Sequence, residues 1–103
     1  MAVVTLNKTN YEAEVMGSDK PVLIDFYADW CGPCRMLASS LEALAAKYPL
    51  LRIGKVNVDE EGELAMRFGI SSIPFVAVFR NGALAASSLG YVSDEELAER
   101  LGL

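Results

Sequence analysis

Apolar and polar positions along the chain follow two different periods, one typical of strands and one typical of helices. Short apolar runs predict five strands, at Val3–Leu6, Val22–Ala28, Leu51–Val58, Phe75–Phe79 and Ala83–Leu89. The second of these runs is nearly continuous, which is the pattern of a strand that is covered on both faces. The second run is therefore expected to form a strand with helices on both faces of the sheet.

Three short helices are predicted from their N-terminal signals. Thr9–Glu12 and Ser93–Glu96 each have the Ser/Thr-x-x-Glu form of a capping box, and Asp59 is placed to cap a helix between them. Glycine ends the first helix near Gly17 and the second at Gly69. Apolar residues predict the buried faces of the second and third helices: Leu64, Ala65, Phe68, Leu97 and Leu101.

A longer helix is predicted to begin at Cys31 and to end before Pro49, because proline cannot continue a helix. Apolar residues recur along it at helical spacing: Leu37, Leu41, Leu44, Ala45 and Tyr48. Asn81-Gly82 is a strong signal for a tight hairpin between the last two strands. The order βαβαβαββα predicts an α/β fold whose mixed sheet has parallel first strands, an antiparallel final hairpin, and helices on both faces.

Length and hydropathy restrict the organisation of the chain. The 103 residues, 52% of them hydrophobic, predict a single domain over residues 1–103. No apolar run approaches the roughly 20 residues needed to cross a bilayer, and Met1–Lys8 lacks the pattern of a signal peptide. We therefore expect a cytoplasmic protein with no membrane segment, and a monomer, because no additional interface segment is evident.

Charge and residue usage exclude several classes of function. The net charge of −5 makes nucleic acid an unfavourable partner, since a phosphate backbone would be repelled. The chain contains no histidine, which removes Ser-His and Cys-His nucleophile pairs and every histidine-based metal site. Its two cysteines cannot by themselves complete a four-thiolate zinc site, so we expect no bound metal and no cofactor.

Both cysteines lie in Trp30-Cys31-Gly32-Pro33-Cys34, at the junction of a predicted strand and the long helix. Residues three apart share one helix face, so the two sulfurs can meet. Gly32 leaves the approach to the pair open, and Pro33 suits the first turn of a helix. The motif in this setting indicates dithiol–disulfide exchange.

The helix start also assigns the two cysteines different roles. Cys31 should lie near the positive end of the helix dipole, where unpaired N–H groups stabilise a thiolate. Cys34, further into the helix, should be more shielded and keep its proton. Cys31 would then attack a substrate disulfide and Cys34 would resolve the mixed disulfide. The alternative, a structural disulfide, closes almost no loop and would contribute little stability.

Several separated motifs, in the same order, resemble the thioredoxin family over nearly the whole chain: Asp25–Met36, Lys55–Asp59, Gly69–Pro74, Asn81-Gly82 and Gly90. The resemblance implies the thioredoxin fold and a protein-disulfide reductase that is recharged by a thioredoxin reductase and reduces disulfide-containing protein substrates. It also implies that Asp25 is a buried carboxylate that helps to deprotonate Cys34. Burial in an apolar strand would raise the pKa of Asp25 towards that of a useful base. The alternative is a purely structural ion pair of Asp25 with Lys55. Because Lys55 is the cation expected beside Asp25, it is also a candidate catalytic residue.

The resemblance further implies a substrate groove beside the cysteines. It identifies Pro74 as a cis-proline facing the pair, although base rates for X–Pro bonds favour trans. The backbone of Ile73 would receive an extended substrate segment, as in strand addition. A partly exposed Trp30, with Gly90 and Tyr91, would line the same groove.

Three residues depart from the family pattern. Tyr27 stands where tryptophan is frequent, which changes packing behind the site, and Ser39 replaces a proline that usually kinks the long helix. Phe75 follows Pro74 where threonine is usual, and is expected to add bulk near the groove.

Two competing functions stay open at this stage. An oxidase or isomerase is disfavoured because oxidising relatives usually carry histidine between the cysteines, where this chain has Gly32-Pro33. An interaction module would use the apolar surface of the groove to bind a protein without redox chemistry. The two activities, reduction and binding, can coexist.

Overall fold

The computed structural model describes residues 3–103, so Met1 and Ala2 of the predicted domain lie outside the described residues. Five strands form one sheet in the order β1-β3-β2-β4-β5. Their bounds are β1 Val3–Thr5, β2 Val22–Tyr27, β3 Arg52–Asn57, β4 Phe75–Arg80 and β5 Ala83–Leu89. β3 is parallel to both β1 and β2, whereas β4 is antiparallel to β2 and β5. The predicted mixed α/β sheet is confirmed, with strand ends shifted by one residue in places.

Four helices connect or follow these strands: a π-helix at Glu12–Met16, α1 at Gly32–Lys47, α2 at Gly62–Arg67 and α3 at Asp94–Arg100. The long helix α1 continues through Ser39, the position where family members usually have a kinking proline. All helices within residues 3–103 are too short or too polar to cross a bilayer.

The first predicted capping box is wrong. The Asn7 side chain accepts hydrogen bonds from the N–H groups of Thr9 (2.8 Å) and Asn10 (3.0 Å), and no side chain caps the helix itself. The Asn7 side chain thus holds the turn that precedes the helix, and the N-cap position is Tyr11 rather than Thr9. Gly17 ends this helix as predicted, and its N–H donates to the Glu12 carbonyl at 2.9 Å.

The prediction that Asp59 caps α2 is also wrong, because the turn before this helix is held by the side chain of Asn57. The Asn57 side chain accepts from the N–H groups of Asp59 (2.9 Å) and Glu60 (3.3 Å), and α2 begins only at Gly62. The cap predicted for α3 is confirmed, since the Ser93 hydroxyl accepts from the Glu96 N–H at 3.2 Å.

The sheet separates two apolar cores. On one face, α1 and α3 pack on the sheet through buried residues that include Leu37, Leu41, Leu44, Leu97 and Leu101. On the other face the π-helix and α2 pack around residues that include Val15, Phe26, Val56, Leu64 and Phe79. Alternation along β2 places Leu23 and Asp25 on the α1 face. The central strand therefore directs a carboxylate towards the face covered by α1, the helix whose N-cap is Cys31.

The hairpin between β4 and β5 has the predicted turn. Asn81 and Gly82 both adopt positive φ, 53° and 79°, as a two-residue turn of the primed type requires. The return strand β5 brings Gly90 back to the end of the sheet that carries Pro74.

Candidate active site

The cysteine pair lies where β2 leads into α1. Cys31 is the N-cap of α1 with an extended backbone, and Pro33 lies in the first turn of that helix. The two cysteines form a disulfide with their Cα atoms 5.2 Å apart. The Cys34 N–H donates to Cys31 Sγ at 3.2 Å. An N–H group at the start of the helix therefore already points at the sulfur on which a thiolate would form.

Both cysteines are buried in the disulfide form, with 4% of Cys31 and 5% of Cys34 exposed. In the disulfide form the two cysteines are buried to nearly the same extent, in a cluster with Ala28 and Ile73, so the greater shielding of the Cys34 thiol in the reduced form stays a prediction. What distinguishes the two is their position in the helix. Cys31 Sγ accepts the helix-start hydrogen bond, whereas Cys34 provides the N–H.

Asp25 is a buried acid without full hydrogen bonding. Only 1% of the residue is exposed, and its Oδ1 atom has no hydrogen-bond partner. Burial raises the pKa of Asp25 from 3.8 to about 6, and the positive charge of Lys55 opposes part of that rise. A carboxyl group with this pKa changes its protonation state near neutral pH, as a proton acceptor in catalysis must.

Lys55 lies beside Asp25 in the sheet but does not form an ion pair with it. The two residues are register partners on β2 and β3, yet the Lys55 ammonium lies 4.6 Å from the centre of the Tyr27 ring. The ion pairs within residues 3–103 do not include Asp25 and Lys55. Tyr27, Lys55 and Cys34 also line one open cavity of about 200 Å³.

Trp30 borders a second depression, which shares none of its lining residues with the first. The residue is 68% exposed, which confirms the prediction of a partly exposed indole. The depression has a volume of about 180 Å³, and its lining is mostly apolar: Trp30, Val58, Ile70, Ser71, Ser72 and Ile73. The indole Nε1 donates to Asp59 Oδ2 at 2.8 Å. Sequence reasoning missed this contact, because it assigned Asp59 to a helix cap.

The remaining predicted groove residues lie at the start of β4 and the end of β5. The Ile73–Pro74 peptide bond is cis, as the resemblance implies. The Gly90 N–H donates to the Pro74 carbonyl at 2.8 Å, which joins the two segments, and Tyr91 is 45% exposed beside them. The Phe75 ring lies 6.3 Å from that of Phe26 and packs on the α2 face of the sheet.

Comparisons with known proteins agree with this geometry. The model of the Thioredoxin family matches residues 2–102. A thioredoxin of Alicyclobacillus acidocaldarius subsp. acidocaldarius is 44% identical over 97% of this chain and 95% of its own length. A thioredoxin of Acidithiobacillus ferridurans is 39% identical over 93% of this chain and 90% of its own. The chloroplastic thioredoxin M5 of Oryza sativa subsp. japonica is 42% identical over 93% of this chain and 56% of its own length.

Proposed function

Because this chain belongs to the thioredoxin family, we propose that it is a general reductase of disulfide-containing proteins, recharged by a thioredoxin reductase. Dithiol–disulfide exchange through Cys31 and Cys34 is the redox function that its family and its paired cysteines establish. Beyond this redox function, we propose that the chain acts on a broad range of proteins and receives its electrons from a thioredoxin reductase. We also propose that it acts in the cytoplasm as a monomer of one domain, without a bound cofactor. The observation that carries it is the disulfide at the start of α1, on the same side of the sheet as the buried carboxylate of Asp25.

The first step forms a mixed disulfide. The Cys31 thiolate attacks one sulfur of the substrate disulfide, and the other substrate sulfur leaves as a thiolate that takes up a proton. The helix start supports this role because the Cys34 N–H donates to Cys31 Sγ and the helix dipole favours negative charge there. Gly32 and Pro33 carry no polar side chain that would compete for the incoming disulfide.

The second step releases the reduced substrate. Cys34 loses its proton, attacks Cys31 Sγ, and restores the Cys31–Cys34 disulfide while the second substrate sulfur leaves. Asp25 supports this step as the proton acceptor, because it is buried on the α1 face and the pKa of its carboxyl group is raised to about 6. Lys55 tunes the same carboxyl group, because its positive charge lowers the pKa of Asp25. Two electrons thereby pass from the dithiol to the substrate.

The substrate segment is proposed to bind across the groove. The backbone of Ile73 can pair with an extended chain, as in strand addition. Trp30 contributes an exposed apolar surface, and Gly90, bonded to Pro74, and the exposed Tyr91 would extend the groove. Phe75 lies behind this surface with its ring against Phe26, so its effect on substrate choice would act through packing.

Reduction of insulin by dithiothreitol tests the proposal, with the parent chain compared against Cys31→Ser. Rapid turnover that is lost in Cys31→Ser would support a protein-disulfide reductase with Cys31 as the nucleophile. Turnover no faster than dithiothreitol alone would contradict it, and would favour the interaction module. Binding of a partner by a Cys31→Ser, Cys34→Ser double variant would then test the module directly.

Equilibration with glutathione separates the reductase from an oxidase or isomerase. A disulfide that resists reduction at physiological glutathione ratios is expected for a reductase, because its dithiol form must be the better electron donor. A pair that glutathione reduces readily would contradict the reductase assignment.

A further inference from the structure

Asp59 lies in the turn after β3 and contacts a residue 29 positions earlier in the chain. The indole Nε1 of Trp30 donates to Asp59 Oδ2 at 2.8 Å. The turn does not require this carboxylate, because the Asn57 side chain accepts the N–H groups of Asp59 and Glu60. The Asp59 carboxylate therefore accepts from Trp30 without being needed to hold the turn.

The position of Trp30 is not fixed by core packing. With 68% of its surface exposed, the side chain has room for other rotamers. Its present rotamer forms one wall of the depression whose other wall is the segment 70–73. A hydrogen bond to a charged acceptor is stronger than one between neutral groups, so the Asp59 contact is an effective restraint on the indole.

We propose that Asp59 is a positioning residue that holds Trp30 as a wall of the groove for protein substrates. This inference rests on the proposed reductase function and specifies which contact orders the Trp30 side chain before a substrate binds. A wall that is already ordered loses less conformational freedom when a substrate segment binds. Asp59 does not contact either sulfur, so it acts on the binding of protein substrates and leaves the exchange step unchanged.

The backbone of the turn should be unchanged when Asp59 is substituted, so the effect of a substitution can be assigned to the contact with Trp30. Its backbone is held by the two bonds to Asn57 Oδ1 and by the Glu61 N–H, which donates to the Asn57 carbonyl at 2.8 Å. None of these bonds uses the Asp59 side chain. Glu60, the next residue, is an exposed acid and provides a control of equal charge.

The experiment compares Asp59→Ala and Asp59→Asn with Glu60→Gln in reduction of insulin and of hydroxyethyl disulfide. Asp59→Ala should raise the KM for insulin about threefold to tenfold, the range expected when one side chain must be ordered on binding, without changing kcat. Reduction of hydroxyethyl disulfide, which is too small to span the groove, should be unchanged. Asp59→Asn should keep a KM near the parent value, since its amide oxygen can still accept from the indole.

Fluorescence anisotropy of Trp30 gives an independent readout, because it is the single tryptophan of the chain. Asp59→Ala should lower the anisotropy, whereas Asp59→Asn and Glu60→Gln should leave it near the parent value. An unchanged KM in Asp59→Ala would overturn the inference. An equal rise in KM in Glu60→Gln, or an equal loss with hydroxyethyl disulfide, would also overturn it. Failure of the parent chain to reduce insulin would instead overturn the reductase function, and this inference with it.

Discussion

Asp25 and Lys55 lie opposite each other on neighbouring strands, but the Lys55 ammonium is placed over the ring of Tyr27 instead of against the carboxylate. One carboxylate oxygen of Asp25 is buried without a hydrogen-bond partner. Desolvation therefore outweighs the attraction of the nearby charge, and the pKa of Asp25 rises to about 6. Burial of the ionised carboxylate therefore costs stability, and the raised pKa is what the proposed role of Asp25 as a proton acceptor requires.

The first prediction concerns stability. The pKa of Asp25 is higher in the folded chain than its ordinary value of 3.8, so the folded state binds this proton more tightly than the unfolded state. The stabilising effect of the proton is fully present below pH 3.8 and is lost as the pH rises through about 6. Asp25→Asn should therefore raise the free energy of unfolding at pH 8 by about 3 kcal/mol, and by much less below pH 4.

Urea unfolding of Asp25→Asn at pH 8 and at pH 3.5 measures this difference. Asp19→Asn is the matched control, because Asp19 is an exposed carboxylate outside the site and should change stability by less than about 0.5 kcal/mol. Equal stabilisation of Asp25→Asn at both pH values would contradict the role assigned to burial of the charge.

The second prediction concerns the pH dependence of turnover. Asp25 can accept a proton only in its ionised form, so reduction of insulin by the parent chain should decline as the pH falls through about 6. In Asp25→Asn the Cys34 thiol must ionise without this base. A thiol with an ordinary pKa near 8.5 is about 3% ionised at pH 7, so the loss should be at most about 30-fold. The deficit should shrink towards pH 9, and a deficit independent of pH would exclude Asp25 as the proton acceptor.

The third prediction isolates Lys55. Its positive charge lowers the pKa of Asp25 against the larger effect of burial, so Lys55→Met should raise that pKa above about 6. The titration of the Asp25 carboxyl carbon, followed by NMR, measures the change. Lys20→Met, which removes an exposed lysine outside the site, should leave the titration unchanged. A fall in the Asp25 pKa in Lys55→Met would show that Lys55 acts in another way.

The fourth prediction concerns the backbone beside the groove. Gly90 has φ +89°, a conformation that disfavours other L-residues, although open space surrounds the position of a Cβ atom. Gly90→Ala should therefore destabilise the fold by about 1–2 kcal/mol through backbone strain alone. Gly62→Ala is the matched control, because it also meets open space but begins α2 without positive φ. It should be neutral or stabilise by up to about 1 kcal/mol, and equal effects of the two changes would exclude strain as the cause.

Local signals predicted most of the fold because each acts within a few residues. Asn81-Gly82 specifies a turn with two positive φ angles, and Ser93 caps α3 through a neighbouring N–H. Where two polar residues could each hold the turn before a helix, the sequence did not determine which of them does so. Asn7 replaced Thr9 before the π-helix, and Asn57 replaced Asp59 before α2.

The candidate site was predictable in its residues but less so in its contacts. The cysteine motif and the buried position of Asp25 follow from the sequence pattern and the family resemblance. The contacts of Trp30 with Asp59 and of Lys55 with Tyr27 join residues distant in the chain. These contacts depend on how β2 and β3 pair and on which rotamers that pairing allows. A local sequence pattern predicts neither the pairing nor the rotamers.

The division of roles between Cys31 and Cys34 is the central claim, and trapping of a mixed disulfide tests it most directly. Reduced Cys34→Ser and Cys31→Ser are each mixed with oxidised insulin, and the covalent adduct is quantified by non-reducing electrophoresis and mass spectrometry. We expect Cys34→Ser to accumulate a one-to-one adduct through Cys31, because the resolving thiol is absent, and Cys31→Ser to form almost none. Equal adduct from both variants, or more from Cys31→Ser, would contradict the assignment of Cys31 as the attacking thiol.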